Sequence, residues 1–271
     1  MILVGTSGYG YHEWSPAFYP MGLCYEDYLS HYAQHFSCCE LSHTFFHMPS
    51  PRNLSRLVRK VPESFRFTVK LNRRLTHERG ADLQLAKSFT RSVRPLMESG
   101  QLGAVLAQFP FSFMNNPYSR AYLCRLRAAL ELPLVAELRN DTWRNPETLA
   151  FLRGWGIGLA AIDAPALGGF MPPMAVATSA IGYVRFHGRD ATSWWRRGSP
   201  LRYEYRYRQR ELMSWLPRIR EIARGAEETF VSFNNHRRTH AVANAATMSR
   251  LLARSSRSKK RVSARQSAQV G

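Results

Sequence analysis

The sequence lacks long hydrophobic runs. No window approaches the roughly 20 consecutive apolar residues that a transmembrane helix needs, so we expect no membrane partner. The first residues, Met1 to Gly8, also lack the basic stretch and the long apolar region of a secretion signal. We therefore expect a cytoplasmic protein.

Cysteine is scarce, and the common nucleotide-binding motifs are absent. The 271 residues include 4 cysteines, whose spacing fits neither a disulfide framework nor a zinc ribbon. We expect them to be reduced thiols, as in most intracellular proteins. Because the sequence has neither a Walker A motif nor a Gly-x-Gly-x-x-Gly motif, no nucleotide cofactor is indicated.

Acidic residues are also few, since 19 Asp and Glu stand against 38 Lys and Arg and leave a formal charge of +19. The segment Arg185–Arg224 contains eleven arginines and four acidic residues, and the Ser/Arg-rich end, Arg254–Gly271, contains six cations and no acid. Such surfaces bind polyanions in a salt-dependent way. Nucleic acid is therefore one candidate partner, and a merely solvated basic surface is the other interpretation.

Short β-rich runs alternate with longer runs of helical period along most of the chain. Eight predicted strands with helical crossovers in about 250 residues predict an α/β fold, a (β/α)8 barrel of the TIM type. The predicted strands are Ile2–Gly5, Cys38–Leu41, Arg66–Lys70, Ala104–Gln108, Leu134–Glu137, Leu159–Ile162, Gly182–Phe186 and Thr229–Phe233. The predicted helices are Tyr25–Phe36, Pro51–Lys60, Asp82–Ser99, Tyr118–Leu130, Pro146–Trp155, Tyr205–Ala223 and Ala241–Ala253.

One connection breaks this alternation. The segment between the sixth and seventh predicted strands, Asp163 to Ile181, is rich in Pro and Gly and has no helical period, so we expect a loop or a single turn there. No change in composition marks a second domain. We predict one barrel domain over residues 1–253 and a disordered basic tail over residues 254–271.

Polar residues follow every predicted strand. In a (β/α)8 barrel the chemistry lies at the carboxyl ends of the strands, so these residues are expected around one mouth. Isolated buried charges are costly, and the groups must therefore pair with one another or line a solvated site. The polar residues at the strand ends are Thr6, Ser7, Glu40, Ser42, Thr44, Lys70, Arg73, Gln108, Glu137, Arg139, Asp163, Arg185, His187, Asn234 and Asn235.

The titratable groups of this set suit acid/base catalysis, which needs groups of different proton affinity in one pocket. We predict Glu40, Glu137, Asp163 and His187 as catalytic residues, with His187 as the proton shuttle. The other interpretation of each is an ion pair or a hydrogen bond that anchors a loop. His77 lies seven residues beyond its strand and is a weaker candidate.

The cations of the mouth predict an anionic substrate, because guanidinium groups fork onto carboxylate or phosphate. The other interpretation is that each arginine neutralises a neighbouring glutamate. The aromatic loop after the first strand suits stacking on a sugar or a base, although such loops also pack as plugs. The residues predicted to bind the substrate are Lys70, Gln108, Arg139, Arg185, Asn234, Asn235, Trp14 and Tyr9.

A metal-dependent mechanism is the main rival to metal-free acid/base chemistry. No metal ligands are assigned, because no pair of histidines has HxH or HExxH spacing. A hard-ion site made from Glu40, Glu137 and Asp163 would take Mg²⁺ or Mn²⁺.

A series of short motifs lies at the predicted strand ends and in the loops after them. They are Gly5-Thr-Ser-Gly8 with Trp14 and Phe18-Tyr-Pro20, Glu40-Leu-Ser-His-Thr-Phe45, Phe65-Arg-Phe-Thr-Val-Lys70 with Thr76-His77, Gln108-Phe-Pro110, Glu137-Leu-Arg139 with Trp143, Asp163-Ala-Pro165, Tyr183-Val-Arg-Phe-His-Gly-Arg189, and Phe233-Asn-Asn235 with Ala241-Val-Ala-Asn-Ala245. In this order, from Ile2 to Leu252, the chain resembles the YecE-like family, which is domain of unknown function 72. The resemblance implies a TIM-type barrel and no established activity.

The chain departs from the usual pattern of that family in four places. Ser42 takes the place of an Asn, Phe46 that of a Tyr, Asn140-Asp141 that of a His-Pro pair, and His236 that of an Asp. These changes remove hydrogen-bonding groups, so the substrate of this chain can differ from that of typical members.

We therefore expect an enzyme that acts on a small anionic or phosphorylated molecule by acid/base chemistry, as a hydrolase, lyase or isomerase. The alternative is a nucleic-acid-binding protein or a metal-assisted phosphodiesterase that uses Arg185–Arg224 and the tail. Carboxylates repel phosphate unless a metal lies between them, so three carboxylates at one mouth favour a small-molecule or metal-containing site over a simple polyanion binder. The sequence indicates no oligomeric state.

Overall fold

Eight parallel strands close into a barrel in chain order, with the first strand paired to the last. The computed structural model describes residues 1–80, 83–192, 194 and 200–267, of which 200, 202 and 255–267 are described by their backbone alone. The strands are β1 (Ile2–Ser7), β2 (Cys38–Leu41), β3 (Arg66–Lys70), β4 (Leu102–Gln108), β5 (Leu134–Glu137), β6 (Gly158–Asp163), β7 (Ile181–Phe186) and β8 (Glu228–Phe233). All eight predicted strands are confirmed, with ends within two residues of the predicted ones.

Helices follow every strand except β6. They are α1 (Tyr28–Ala33), α2 (Pro51–Val58), α3 (Gln84–Glu98), α4 (Pro117–Leu130), α5 (Pro146–Gly154), α6 (Gln209–Arg224) and α7 (His240–Ser267). Residues 164–180, all of which are described, contain no helix, as the Pro and Gly content predicts. The predicted (β/α)8 barrel is therefore confirmed.

Several helix starts are encoded locally by a capping residue followed by proline. The Asn116 and Asn145 side chains accept hydrogen bonds from the backbone N–H groups of Ser119 and Thr148, at 2.8 and 2.7 Å. Proline follows each cap, where its fixed φ suits the first helical position and its missing N–H costs nothing. These caps fix where α4 and α5 begin, and thus the length of the loops above the mouth.

The last helix continues past the predicted domain boundary. α7 runs to Ser267, beyond residue 253, because Ala, Arg, Lys and Gln propagate a helix that is already formed. Residues 268–271 lie outside the described part of the chain. The division of the chain at residue 253 stays a prediction.

Side chains alternate along the strands between the barrel interior and the layer beneath the helices. The interior begins with an apolar floor, in which the Tyr183 and Phe230 rings are the largest groups. A Cβ at Gly103 would overlap the Phe230 ring, which explains the glycine at this position. The floor consists of Leu3, Cys38, Ala104, Leu106, Val135, Ala160, Tyr183 and Phe230. Within the described ranges, no helix combines the length and the apolar character needed to cross a bilayer.

Candidate functional site

Above the apolar floor, the inward-facing positions of the strands become polar. The step is visible along single strands: Cys38 of the floor is followed two residues later by Glu40, and Val135 by Glu137. Every second residue along a strand, counted from the floor, therefore points inward, and the last of these residues lie inside the mouth. The polar inward-facing residues are Ser7, Glu40, Lys70, Gln108, Glu137, Arg185 and Ser232.

Arg185 lies at the centre of this layer, with 1% of its side chain exposed. Its Nε and Nη2 donate hydrogen bonds to the two oxygens of Glu40, at 2.9 and 2.7 Å, and its Nη1 donates to Oε2 of Glu137 at 2.5 Å. A buried charge is tolerated when it is paired and hydrogen-bonded, and this guanidinium has both kinds of partner. The arginine predicted to bind substrate therefore neutralises two glutamates of its own mouth.

Glu40 is held on several sides. The hydroxyl groups of Ser42 and Tyr183 donate hydrogen bonds to it at 2.8 and 3.0 Å, in addition to the pair from Arg185. Burial alone would raise the pKa of Glu40, but the charges of Arg185 and Lys70 hold it below its ordinary value. Glu40 is thus a fixed anion at neutral pH.

Glu137 joins Arg185 to a second arginine. Arg139 approaches Oε1 of Glu137 through Nε at 2.9 Å and through Nη2 at 2.8 Å. Burial opposes ionisation of Glu137, yet Arg185, His187 and Arg139 together lower its pKa well below the ordinary value. The Nη1 group of Arg139 has no hydrogen-bond partner among the residues that the structure describes.

His187 is a neutral imidazole held between an amide and the Arg185–Glu137 pair. Nδ2 of Asn234 lies 3.1 Å from its Nδ1, and its Nε2 lies 3.3 Å from Oε1 of Glu137 and 3.4 Å from Nη1 of Arg185. Burial lowers the pKa of His187 to about 4, and the nearby Arg185 charge adds to this effect although Glu137 opposes it. The predicted proton shuttle is in the mouth, aligned by a carboxylate and an amide.

Lys70 is the cation of the mouth that has no carboxylate partner. Its Nζ lies 4.1 Å from the centre of the Phe45 ring, and no described residue is within ion-pair or hydrogen-bond distance of it. Burial and the charge of Arg185 lower the pKa of Lys70 from 10.5 to about 7, against the opposing effect of Glu40 and Glu137. Lys70 is thus the group of this cluster that changes charge near neutral pH.

His77 joins the site although it is distant from its strand. A π-helical turn over Arg74–Glu78 follows β3. The His77 ring lies edge-on to Phe45, with ring centres 5.0 Å apart, and Lys70 contacts the same Phe45 ring. Burial, then the charges of Lys70 and Arg139, lower the pKa of His77 to about 4. Its distance from the strand end made His77 a weak candidate in the sequence. The Thr76-His77 motif was the sequence feature that could have identified it as a site residue.

Asp163 and Asn235 face away from the cluster. Asp163 lies an even number of residues after Leu159 and Ala161, which face outward, so its side chain leaves the strand on the outer side. It accepts hydrogen bonds from Arg189 and from Trp215 of α6, the latter at 2.5 Å. The Tyr207 hydroxyl group donates to the same carboxylate at 2.7 Å. Nδ2 of Asn235 donates to the backbone oxygen of Tyr205 at 2.6 Å. The structure therefore does not bring these two predicted site residues together with Glu40 and Glu137.

The aromatic first loop packs against neighbouring loops. Trp14 is fully buried, and its Nε1 donates to the backbone oxygen of His236 at 2.9 Å. Tyr9 lines a separate cavity of about 600 Å³ between this loop and α2. Gln108 faces the mouth and donates from Nε2 to the backbone oxygen of Phe109 at 2.9 Å. Trp14 is thus a plug in the described structure, whereas Tyr9 and Gln108 border open space or the mouth.

A second cavity, of about 690 Å³, opens beside Arg139. The loop between β6 and β7 forms its wall, because Met171 donates its backbone N–H to the backbone oxygen of Arg139 at 2.8 Å. The Arg139 guanidinium lies 5.7 Å from the Trp194 ring centre, and Phe170 is in edge contact with the same ring. The lining of the cavity is mostly apolar, and its charged residues are Arg139, Arg189 and Asp163.

The positions that depart from the family pattern have defined partners. Ser42 keeps a hydrogen bond to Glu40, and Asn140 caps the turn at Asp141–Trp143 through the Thr142 N–H. The His236 ring stacks on Tyr11 at 4.6 Å, and Phe46 is 65% exposed. These departures adjust loops and one glutamate contact without removing the charged cluster.

The three carboxylates predicted as a Mg²⁺ or Mn²⁺ site do not converge. Glu40 and Glu137 are bound to Arg185, and Asp163 faces α6. In the part of the chain that is described, no three His, Cys, Asp or Glu residues are placed to hold a metal ion. The geometry of these carboxylates therefore gives no support to the metal site.

Comparison with known proteins places the whole chain in one group. The family model described as "Protein of unknown function DUF72" matches residues 3–268. The chain is 32% identical to the UPF0759 protein YunF of Bacillus subtilis (strain 168), over 93% of this chain and 95% of that protein. It is similar to a DUF72 family protein from Thermotoga maritima, with a TM-score of 0.86 and 36% identity over 93% of this chain and 99% of that one. A DUF72 family protein from Enterococcus faecalis matches with a TM-score of 0.83 and 26% identity, over 93% and 95%.

Proposed function

Because the chain belongs to the DUF72 family, whose function is unknown, we propose from its own residues that the barrel mouth is the active site of an acid/base enzyme for a small anionic substrate. The resemblance found in the sequence motifs is confirmed. It supplies no activity, so the proposal depends on the charges and contacts of the mouth.

The observation that carries the proposal is the position of Lys70. Glu40 and Glu137 are balanced by Arg185 and Arg139, so the protonated Lys70 leaves the cluster with one net positive charge. A pocket with a surplus cation attracts an anion. A partly desolvated cation attracts it more strongly than a solvent-exposed lysine does, because water screens the charge less. The substrate class that fits is a small carboxylate or phosphate.

Lys70 is also the group that transfers protons in this proposal. A general acid or base works best when its pKa lies near the working pH, and the pKa of Lys70 is about 7. His187 is the second group, neutral and oriented by Glu137 and Asn234. Glu40 and Glu137 then act as fixed charges that orient Arg185 and Arg139, and Asp163 fastens β6 to α6.

Arg139 and the cavity beside it complete the proposed binding site. The open Nη1 of Arg139 would receive one oxygen of the anionic group, and the apolar cavity of about 690 Å³ would hold the rest of the molecule. That volume is suited to a metabolite and is too small for a folded partner.

We place this enzyme in the cytoplasm. The four cysteines are free thiols in the structure, and Cys38 and Cys39 are buried in the barrel wall, as expected in a reducing compartment. Cys24 is exposed, in contrast to the buried pair.

A nucleic-acid-binding role remains the alternative, and the surface of α6 is the feature that favours it. Arg208, Arg210 and Arg218 are exposed on this helix and at its start. Arg185 contributes nothing to that surface, because it is buried against Glu40 and Glu137. Arg196, Arg197 and the side chains of the basic tail from residue 255 lie outside the described residues. This surface would bind phosphate backbones weakly, with a strong salt dependence.

Hydrogen exchange at carbon tests the enzyme proposal without a known product. The protein is incubated in D2O with pyruvate, glycolate, dihydroxyacetone phosphate or fructose 6-phosphate, and the loss of C–H signal is followed by NMR. The wild type and Lys87→Met, a variant at an exposed lysine of α3, are expected to exchange a probe at the same rate. In Lys70→Met, the exchange rate is expected to be lower by a factor of about 100 or more.

Three results contradict the proposal. One is exchange by Lys70→Met at the wild-type rate. Another is exchange that EDTA abolishes and Mg²⁺ or Mn²⁺ restores, which would favour the metal-dependent alternative. The third is no exchange with any probe together with tight, salt-dependent binding of duplex DNA, which would favour the nucleic-acid role.

A further inference from the structure

The surroundings of Lys70 differ from those of a lysine that serves only as a charge. A lysine that fixes a charge is normally paired with a carboxylate, yet both carboxylates of this layer are bound to Arg185. The Nζ of Lys70 rests over the face of Phe45, which supplies no proton acceptor. The strand end aims the amine at the mouth, above the apolar floor.

We propose that Lys70 is a nucleophile that forms a Schiff base with the carbonyl group of a substrate that also carries a carboxylate or phosphate. This inference rests on the proposed function and names its substrate class. The reaction is then a C–H or C–C bond cleavage next to a carbonyl, which is a lyase or isomerase reaction and excludes simple hydrolysis.

Burial and the neighbouring arginines leave part of this amine in its reactive, unprotonated form at neutral pH. An amine attacks a carbonyl carbon only when it is unprotonated, and neighbouring cations with desolvation produce that state at neutral pH. Arg185 and Arg139 are the neighbouring cations here, and both are locked in place by glutamates. A lysine with the ordinary pKa of about 10.4 holds roughly a thousandfold less free amine at pH 7.

The proposed step balances with water as its only by-product. The lone pair of the Lys70 Nζ forms a bond to the carbonyl carbon, and the carbonyl π electrons move to oxygen, which takes up a proton. The nitrogen releases one proton, and the hydroxyl group of the carbinolamine takes up a second proton from solvent. The nitrogen lone pair then forms the C=N bond while the C–O bond breaks and water leaves, so the net reaction consumes one proton. The resulting cationic imine withdraws the electron pair of an adjacent C–H or C–C bond, and no oxidant or reductant is needed.

Arg139 explains why the substrate must be anionic. Arg139 lines the cavity, and its Nε and Nη2 are fixed on Glu137, so an incoming carboxylate or phosphate would bind Nη1 without breaking an existing ion pair. The effect of the Arg139 charge on the pKa of both Lys70 and His77 places all three groups in one electrostatic neighbourhood. In the proposal, the anionic group of the substrate binds Arg139 and its carbonyl group extends toward Lys70.

Reductive trapping tests this inference. The full-length protein is treated at pH 7 with sodium cyanoborohydride and one of three probes: pyruvate, dihydroxyacetone phosphate, or acetone as the uncharged control. Peptide mapping by mass spectrometry then locates the adduct among the five lysines of the chain, Lys60, Lys70, Lys87, Lys259 and Lys260. We expect about tenfold or more adduct on Lys70 than on Lys87 with an anionic probe, and none above background with acetone.

Two variants make the result decisive. Lys70→Arg keeps the cation but cannot form an imine, so it is expected to lose the adduct while still unfolding cooperatively. Arg139→Gln is expected to lower the yield with pyruvate or phosphate and to leave the background on Lys87 unchanged. A carboxylate preference or a phosphate preference is read from the two anionic probes.

The inference is overturned if the adduct is spread over Lys60 and Lys87 in proportion to their exposure, or if no adduct forms on Lys70. When Lys70-dependent exchange in D2O persists in that case, the acid/base function stands and only the covalent step is wrong. When exchange is also absent, both proposals fail together.

Discussion

Arg185 donates two parallel hydrogen bonds to Glu40, from Nε at 2.9 Å and from Nη2 at 2.7 Å, inside a closed parallel barrel. The fork fixes both charged groups above the apolar floor. Glu137 takes the remaining guanidinium nitrogen, Nη1. The consequence is that Lys70 has no carboxylate left to pair with, and its charge depends on pH and on whatever anion enters the mouth.

Replacement of Glu40 tests this coupling. Glu40→Gln removes an anion that raises the pKa of Lys70, so the midpoint of Lys70 is expected to fall below 7. The variant also leaves part of the Arg185 charge unbalanced, which is expected to cost about 3 kcal/mol of unfolding free energy. NMR titration and urea unfolding measure the two effects. Glu98→Gln, at an exposed site on α3, is the matched control. An unchanged or raised midpoint in the folded variant contradicts the coupling.

Removal of Lys70 is expected to stabilise the protein at neutral pH. The unfolded chain binds a proton at Lys70 up to about pH 10.5 and the folded chain only up to about pH 7, so wild-type stability rises with pH between these values. Lys70→Met is therefore expected to be about 2 kcal/mol more stable than the wild type at pH 6, with the difference vanishing near pH 10. Thermal unfolding at several pH values measures it, with Lys87→Met as control. The stability of Lys70→Met minus that of the wild type is the quantity to compare. If this difference is smaller at pH 6 than at pH 10, Lys70 is not a desolvated ammonium group in the folded protein.

His187 carries a stability effect on the acid side. Its folded-state pKa of about 4 lies below the ordinary 6.5, so the unfolded chain binds more protons between these values and stability is lost as the pH falls through them. In His187→Gln, the slope of unfolding free energy against pH is expected to decrease by the equivalent of up to one bound proton. The contributions of His77 and His236 to this slope are expected to stay the same. Urea unfolding between pH 7 and pH 4 gives the slope. A slope that is the same in both proteins would show that His187 is protonated equally in the two states.

Asp163 is expected to matter for stability. The carboxylate accepts hydrogen bonds from Arg189, Tyr207 and Trp215, which tie the end of β6 to α6 and to the segment before it. Asp163→Ala leaves buried donors without partners and is expected to cost about 3 kcal/mol, with the Lys70 titration unchanged. Chemical unfolding and NMR test the two parts. A fully stable variant with a shifted Lys70 midpoint would instead show that Asp163 acts on the charged cluster rather than on the packing of α6.

The fold was predictable because it depends on local patterns. The apolar runs that became strands, and caps such as Asn116 and Asn145 before proline, act over a few residues. The missing helix after β6 was equally visible in the composition of residues 164–180. Helix ends were less predictable, as α7 shows, because helix propagation gives no sharp signal.

The membership of the site was only partly predictable. Glu40, Lys70, Glu137, Arg185 and His187 share the inward parity of their strands, and strict counting by two would have separated Asp163 and Asn235 from them. Counting could not decide whether the arginines face substrate or glutamates, because that depends on distances across the barrel. His77 and the cavity beside Arg139 arise from loops that fold back over the mouth, which no local pattern specifies.

Both proposals require that Lys70 titrates near neutral pH, and one measurement tests this without any substrate. The protein is labelled with [¹³C]lysine, and the side-chain signals of its five lysines are followed by NMR from pH 5 to pH 11, with Lys70→Met identifying the signal of interest. We expect the Lys70 signal to titrate with a midpoint of about 7, and added inorganic phosphate to raise that midpoint. A midpoint at the ordinary value of 10.5, insensitive to phosphate, would show that Lys70 is an ordinary ammonium group and that the mouth does not bind an anion next to it.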